Sequence, residues 1–124
     1  MKPTFLLRVT DPDGRVTKEL DPQEEDRAVS EQTAAELTQM MTKVTQEGTA
    51  TGLTVDGVTF AGKTGTAEIG DPAEGINQPW FIAFAPAENP EVAVAATVER
   101  CQGCFGAQVA GPIATQVMET LLSR

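Results

Sequence analysis

Two continuous apolar runs in the second half of the chain give its strongest structural signal. They span residues 80–85 and 92–98, and the segment between them contains the turn-forming residues Pro86, Asn89 and Pro90. Apolar runs of this length, bounded by turn residues, predict β-strands that pair as antiparallel neighbours. Because the runs are apolar except at Thr97, we expect both strands to be buried on both faces, with their small alanines admitting a helix close to the sheet.

Two other segments have the three- and four-residue apolar spacing of amphipathic helices. In the first, Ser30 is a candidate N-cap and Gly48 ends the helix. Its apolar positions are Leu37, Met40, Met41 and Val44. We expect the two methionines to fill the core rather than to bind a ligand. In the second helix, Pro112 suits the first turn, and one face is expected to pack across the sheet. That face consists of Val109, Ile113, Val117 and Leu121.

The N-terminal part of the chain predicts a paired ribbon followed by a connector. Residues 3–9 and 15–20 flank a turn at residues 11–14, in which Pro fixes φ and Gly accepts a positive φ. Residues 21–26 are acidic, contain a proline and lack apolar periodicity, which is typical of a solvated loop.

The segment between the first helix and the apolar runs adds a third strand. Residues 57–69 predict a strand, and residues 70–79, with two prolines and two glycines, predict a loop that shapes the edge of a cleft. The sequence therefore predicts an α+β fold, in which an antiparallel sheet of three main strands packs against helices. Residues 1–27 would form the ribbon and connector, and residues 28–124 the main body.

Composition narrows the possible functions. A chain of 124 residues, 40% apolar and 22% charged, fits one modest folded core. The formal charge of −9 disfavours nucleic acid and anionic membrane surfaces as partners, and no apolar run is long enough to span a membrane. The absence of histidine excludes imidazole catalysis and most zinc sites, and the sequence implies no cofactor. Cys101 and Cys104 lack further metal ligands, which leaves either a disulfide or two free thiols.

Lys63 is the candidate centre of chemistry, because it is the only Lys or Arg between Val44 and Glu99. Eight acidic residues surround it in sequence, namely Glu47, Asp56, Glu68, Asp71, Glu74, Glu88, Glu91 and Glu99. A lone cation flanked by Thr64 and Thr66 can hold a carboxylate by charge and by hydroxyl hydrogen bonds. Gly65 would allow another backbone to approach closely. The alternative is an ordinary surface lysine on a strand.

Residues 57–64 also fit the phosphate-loop pattern G-x-x-x-x-G-K-[ST]. A phosphate loop requires a buried strand before Gly57 and a helix that begins at Lys63. The glycines and the proline that follow Thr64 disfavour such a helix, and the residues inside the supposed loop favour a strand. Nucleotide binding is therefore retained only as a remote alternative.

The order of these elements resembles the C-terminal part of the transpeptidase domain of class B penicillin-binding proteins. The resemblance is carried by the helix, the strand with A-G-K-T-G-T-A-E at residues 61–68, the two apolar strands and the final helix. It covers most of the chain from Val29 onward, and residues 2–14 are similar to the family's connecting ribbon. This family uses the motifs S-x-x-K, S-x-N and K-T-G, and only the last occurs here. Neither Ser30 nor Ser123 begins a serine motif, so the resemblance implies a fragment that lacks the nucleophile.

The resemblance also implies roles for the residues of the motif. The intact enzyme would be a serine-type D,D-transpeptidase that cross-links peptidoglycan in cell-wall synthesis, and β-lactams would mimic its acyl-D-Ala-D-Ala stem peptide. Lys63 would supply positive potential to the catalytic centre. Thr64 and Thr66 would bind the terminal carboxylate on a strand that includes Gly65, and the Thr66 N–H would be one oxyanion donor.

Location and assembly follow from the same resemblance. The protein would lie at the extracytoplasmic face of the bacterial cell membrane, anchored by a segment outside this chain, with no membrane contact by the segment itself. That oxidising compartment favours a Cys101–Cys104 disulfide. Strand edges that the intact domain covers would be bare, so we expect a dimer or a swapped assembly. A second possible function is a non-catalytic module that docks peptides on the same strand.

Overall fold

The computed structural model describes residues 6–21 and 23–123, which belong to two units, Met1–Ser30 and Glu31–Arg124. In the first unit, β1 (Arg8–Thr10) pairs antiparallel with β2 (Val16–Glu19). The Asp11 carboxylate closes the turn by accepting hydrogen bonds from the N–H groups of Asp13, at 3.0 Å, and Arg15, at 2.8 Å. The predicted ribbon is confirmed in the described residues, whereas residues 3–5 of its first strand lie outside them. The connector contains neither helix nor strand where it is described, and its Pro22 also lies outside the described residues.

The second unit is an antiparallel sheet with two α-helices, so the predicted fold class is confirmed. Its elements are α1 (Glu31–Gln46), β3 (Ala61–Glu68), a 3-10 turn (Pro72–Glu74), β4 (Ile76–Ala85), β5 (Val92–Thr97), β6 (Cys101–Gln102) and α2 (Gly106–Leu122). The strand order is β3-β4-β5, and the short β6 pairs with the beginning of β4. Thus β4 is the central strand, and β3 lies at an edge of the sheet.

The expectation that the two apolar strands are buried on both faces is wrong. On β4, Phe81 and Ala83 are buried, whereas Trp80 and Ile82 are 37% and 46% exposed. The strand therefore alternates between a face that packs on α2 and a face that remains open. A continuous apolar run does not reveal this difference, because both faces carry apolar side chains.

The face of α2 that packs on the sheet also differs from the prediction. Its buried residues are small ones together with one methionine, namely Gly106, Ala110, Gly111, Ala114, Thr115 and Met118. In contrast, Ile113, Val117 and Leu121 are 46%, 39% and 41% exposed. Small side chains allow the helix to approach the sheet closely, whereas the branched residues of the predicted face would hold it away. Pro112 lies inside the helix rather than in its first turn, because α2 begins at Gly106.

The first helix follows its prediction in extent but only partly in burial. It ends at Gln46, just before Gly48, yet Leu37 is 44% and Met40 57% exposed, so the expectation that both methionines fill the core is wrong for Met40. Its last turn makes the tertiary contacts. There the buried Thr45 donates a hydrogen bond of 2.9 Å to the Phe60 carbonyl oxygen.

The predicted loop before β4 is shorter than expected. Strand β4 already begins at Ile76, so residues 76–79 are strand rather than loop. Pro79 lies opposite Val98, one residue beyond the end of β5 at Thr97, and its carbonyl oxygen accepts a hydrogen bond from the Val98 N–H at 3.2 Å. Its missing N–H would have pointed the same way, so the proline removes a bond only beyond the regular end of β5. Within the described residues, no helix is both long and apolar enough to cross a membrane.

Candidate functional site

The four predicted site residues, Lys63, Thr64, Gly65 and Thr66, are consecutive on β3. This strand pairs only with β4 among the described strands, so its outer edge carries no neighbouring strand there. Lys63 and Thr66 are exposed, and Thr64 is half-buried. The structure therefore brings the whole motif together along one open sheet edge.

Side chains alternate along β3, so the motif is divided between the two faces of the sheet. Lys63 is in register with Ile82 on the open face. Thr64 is in register with the buried Phe81, and Thr66 shares that face. A ligand can therefore contact the lysine and both threonines together only by lying along the outer edge of β3.

The backbone at Thr66 points toward that outer edge. Thr66 is in register with Pro79, whose carbonyl oxygen bonds to Val98 on the other side. In an antiparallel pair the backbone groups of a residue alternate between the two neighbours. Pro79 thus bonds toward β5, and the N–H and C=O of Thr66 are left at the open edge. Thr64 lies two residues before Thr66 on the same strand, so its N–H and C=O also point toward the open edge.

The Lys63 ammonium lies at the same edge. Its Nζ donates a hydrogen bond of 2.8 Å to the Thr64 carbonyl oxygen, one of the outward-pointing groups. No carboxylate in the described part of the chain forms an ion pair with it. The positive charge is therefore available to an incoming anion at the outer edge of β3.

The two threonine hydroxyls differ in availability. The Thr64 hydroxyl lies 3.0 Å from the Thr49 hydroxyl, in a hydrogen bond in which either can donate. The Thr66 hydroxyl has no hydrogen-bond partner among the residues described. Thr49 follows α1 in an irregular segment, and nothing in the apolar pattern of the sequence pointed to it.

The structure does not meet the requirement of a phosphate loop. Lys63 lies inside a strand that continues to Glu68, and the next helical element is the short 3-10 turn Pro72–Glu74. A phosphate loop needs a helix N-terminus at the lysine, where backbone N–H groups converge on the anion. The described residues also contain no cluster of His, Cys, Asp and Glu that could hold a metal ion.

The two cysteines lie across β4 from the motif strand β3, because the short β6 that contains Cys101 pairs with β4. Cys101 and Cys104 are bonded, and the Asn77 side-chain amide donates to the Cys104 carbonyl oxygen at 3.3 Å. Immediately after this loop, α2 begins at Gly106, which packs against backbone atoms of Trp80 and Gly65. This contact was not visible in the sequence, because a glycine leaves no apolar signal.

The sequence matches the family of the penicillin binding protein transpeptidase domain over residues 1–119. It is 45% identical over 103 residues to the peptidoglycan D,D-transpeptidase PbpA of Mycolicibacterium smegmatis, a match that covers 80% of this chain and 20% of that protein. It is 41% identical over 98 residues to the probable peptidoglycan D,D-transpeptidase PenA of Neisseria gonorrhoeae, covering 74% and 17% respectively. The chain thus spans about a fifth of the length of the curated relatives it matches.

The chain is also similar in structure to solved penicillin-binding proteins. Penicillin-binding protein A from Mycobacterium tuberculosis, in a ceftriaxone acyl-enzyme complex, superposes with a TM-score of 0.82 at 39% identity. That match covers 93% of this chain and 26% of the other. The crystal structure of PBPA from the same organism gives a TM-score of 0.76 at 38% identity, with 93% and 28% covered.

Proposed function

Because this chain belongs to the penicillin-binding protein transpeptidase domain family, we propose that it supplies the K-T-G strand of a peptidoglycan D,D-transpeptidase. The observation that carries the proposal is the open edge of β3, where the Lys63 ammonium bonds to the outward carbonyl oxygen of Thr64 and the next outward backbone groups are those of Thr66. The chain would be the C-terminal part of the transpeptidase domain. The serine nucleophile, its lysine and the S-x-N motif would belong to a polypeptide portion outside this sequence.

The stem peptide would bind as an extra strand along β3. Backbone groups of Thr66 would pair with the substrate amide, as in other complexes in which a peptide extends a sheet edge. In the reaction, the serine oxygen attacks the carbonyl carbon of the penultimate D-Ala, and the terminal D-Ala leaves with a proton on its amine. The amine of a neighbouring stem peptide then displaces the serine. β-Lactams would acylate the same serine by opening their ring.

Each residue of the motif contributes a different interaction to this reaction. The Thr66 N–H would donate to the oxyanion that develops during attack, a contribution typically worth about 2.7–4 kcal/mol in the transition state. Lys63 would attract the terminal carboxylate and raise the positive potential around the serine. The Thr66 hydroxyl is ready to bind that carboxylate, whereas the Thr64 hydroxyl would do so while keeping its bond to Thr49. Gly65 lets the substrate backbone approach β3 without a side chain in the way.

The chain alone is expected to form no covalent adduct with a β-lactam. Acylation requires an activated nucleophile and two oxyanion donors, and this sequence supplies one donor. Non-covalent binding should also be feeble, because one exposed charge-assisted contact contributes only about 1 kcal/mol, whereas millimolar affinity corresponds to about 4 kcal/mol.

The test is to incubate the chain with a fluorescent penicillin and to measure its intact mass. We expect no adduct on the chain alone, and an adduct on the partner after adding a polypeptide that carries S-x-x-K and S-x-N from a related transpeptidase domain. Thr66→Pro, which removes the outward N–H, should abolish that reaction. Thr49→Ser, which keeps a hydroxyl beside Thr64, is the matched control. An adduct on the chain alone that Ser30→Ala removes would contradict the proposal.

A peptide-docking module is the second candidate, because the open edge of β3 can pair with an extended peptide without any catalysis. Equilibrium binding distinguishes the two candidates. A docking module would bind a stem peptide with micromolar affinity in the absence of a serine-bearing partner, and a partner would produce no acylation. The transpeptidase proposal expects the opposite on both counts.

We further propose that the isolated chain self-associates and that its natural location is the extracytoplasmic face of the bacterial membrane. Strand β5 is the second edge of the described sheet, and apolar side chains such as Ile82 and Ile113 are 46% exposed. Bare edges next to exposed apolar surface favour pairing with another chain. Light scattering at high protein concentration should show a dimer or a larger swapped assembly. A monodisperse monomer would contradict this expectation.

A further inference from the structure

The loop closed by Cys101 and Cys104 is hydrogen-bonded to the beginning of β4 and to the residue before it. Cys101 is in register with Asn77, and the same asparagine donates its side-chain amide to the Cys104 carbonyl oxygen at 3.3 Å. The Gly103 N–H donates to the Gly75 carbonyl oxygen at 3.2 Å. Both halves of the disulfide loop are therefore held against the β3–β4 hairpin.

The start of α2 follows this loop directly and has no side-chain cap. Its N-cap residue is Phe105, which provides no side-chain hydrogen bond to the free N–H groups of the first turn. The Phe105 side chain is 58% exposed, so it provides little apolar anchorage either. The covalent bridge ends at Cys104, two residues before α2 begins at Gly106.

The start of α2 packs directly against β3, the strand that carries the K-T-G motif. Gly106 is buried against the backbone of Trp80 and Gly65, and an added Cβ there would lie 2.8 Å from the Gly65 carbonyl oxygen. Gly65 and Trp80 are a register pair whose side-chain positions face away from α2, so the helix meets bare backbone at this point. Any displacement of the helix start changes the support directly behind Gly65.

We propose that the Cys101–Cys104 bridge is a positioning element for the K-T-G strand, which acts by fixing the start of α2 against Gly65. A closed loop restricts the conformations of the backbone inside it, so the bridge limits how far the chain can move just before α2 begins at Gly106. Its effect on ligand binding rests on the proposed function. Its effect on the order of β3 is independent of the proposed function. An experiment that measures the order of β3 therefore tests this proposal even if the proposed function is wrong.

The test is hydrogen exchange, followed by mass spectrometry, of the oxidised chain, of the chain reduced by a phosphine and of the Cys101→Ser/Cys104→Ser double variant. Reduction forms two thiols as the phosphine becomes its oxide. We expect exchange to rise about tenfold at the amides of this region that bond inside the fold, namely Gly65 and Ala67 on β3 and residues 108–110 on α2, as for a local opening, while α1 stays protected. An even rise throughout Glu31–Arg124 would indicate general destabilisation and would overturn the proposal, as would unchanged exchange in β3.

Trp80 fluorescence reports on the contact between the start of α2 and the sheet, because Trp80 is the only tryptophan in the chain and its backbone contacts Gly106. Acrylamide quenching of its fluorescence should increase when the bridge is opened by the double serine variant, and reoxidation of the reduced wild type should reverse the increase. Thiol titration of the purified chain gives a direct check. Two free thiols without reductant would overturn the proposal.

Substitution of Gly106 tests the contact between α2 and Gly65 while the Cys101–Cys104 disulfide remains intact. Gly106→Ala should reproduce the local rise in exchange with the disulfide intact, because its Cβ cannot fit against the backbone of Gly65. Gln108→Ala, at an exposed position in the same turn, is the matched control and should leave the exchange pattern unchanged. Unchanged exchange in Gly106→Ala would show that the start of α2 does not support β3, and the proposal would be wrong.

Discussion

The packing face of α2 can be tested by comparing Met118→Ala with Leu121→Ala. Met118 is 0% and Leu121 41% exposed, although they lie one turn apart on the helix. Truncating a buried methionine to alanine removes its transfer free energy and leaves a cavity, at a cost of about 2–5 kcal/mol. Truncating a partly exposed leucine should cost less than about 1 kcal/mol, because little buried surface is lost and alanine favours the helix. The predicted difference is at least about 1 kcal/mol.

Urea denaturation followed by far-UV circular dichroism and by Trp80 fluorescence gives the two free energies of unfolding. For a chain of this size, Met118→Ala should also lower the melting temperature by roughly 10 °C. Equal losses for the two variants, or a larger loss for Leu121→Ala, would show that the branched face of α2 packs on the sheet after all. The measurements should be repeated at tenfold lower protein concentration. A Leu121→Ala loss that disappears on dilution reports self-association, whereas one that persists refutes the assigned packing.

Three further substitutions test other parts of the structure. Gly62→Ala should destabilise by about 1–3 kcal/mol in thermal melts, because the new Cβ would lie 2.7 Å from the Phe81 ring; an unchanged melting temperature would contradict this close packing. Thr45→Val should cost about 1–3 kcal/mol in urea titrations, since it removes the donor that bonds the Phe60 carbonyl oxygen. Lys63→Ala should change stability by less than about 0.5 kcal/mol, because the side chain is exposed. The same variant should lose adduct formation in the reconstituted mixture, and full retention would remove the lysine from the proposed mechanism.

The sequence predicted the elements of this fold better than their faces. Continuous apolar runs and their flanking turn residues located β4 and β5, and helical spacing located both helices. The runs could not show that Trp80 and Ile82 lie on an open face, because hydrophobicity identifies apolar residues and not the layer that covers them. On α2, the prediction assigned the packing face to the large apolar residues at four-residue steps and not to the small residues between them. Close contact of helix and sheet selected the small residues instead.

The sequence predicted that the four candidate site residues share one strand, whereas the geometry of that strand could not be predicted. The isolation of Lys63 among acidic residues identified the motif strand from sequence. The outward direction of the Thr66 backbone depends on strand register and on the position of Pro79 in the neighbouring strand, and neither can be read from the motif. The bond between the hydroxyls of Thr49 and Thr64 joins segments that only the folded chain brings together.

The three main strands follow one another in the sheet in the same order as in the chain. Each strand therefore finds its neighbour after a short connection, residues 69–75 or 86–91, and the entropy of closing such loops is small. Sheets built from contacts so near in sequence form quickly, because no distant segment must first be found. Strand register in this meander can thus be set within residues 61–97 alone, so that a polypeptide portion carrying the serine would meet an edge of β3 that is already formed instead of helping to build it.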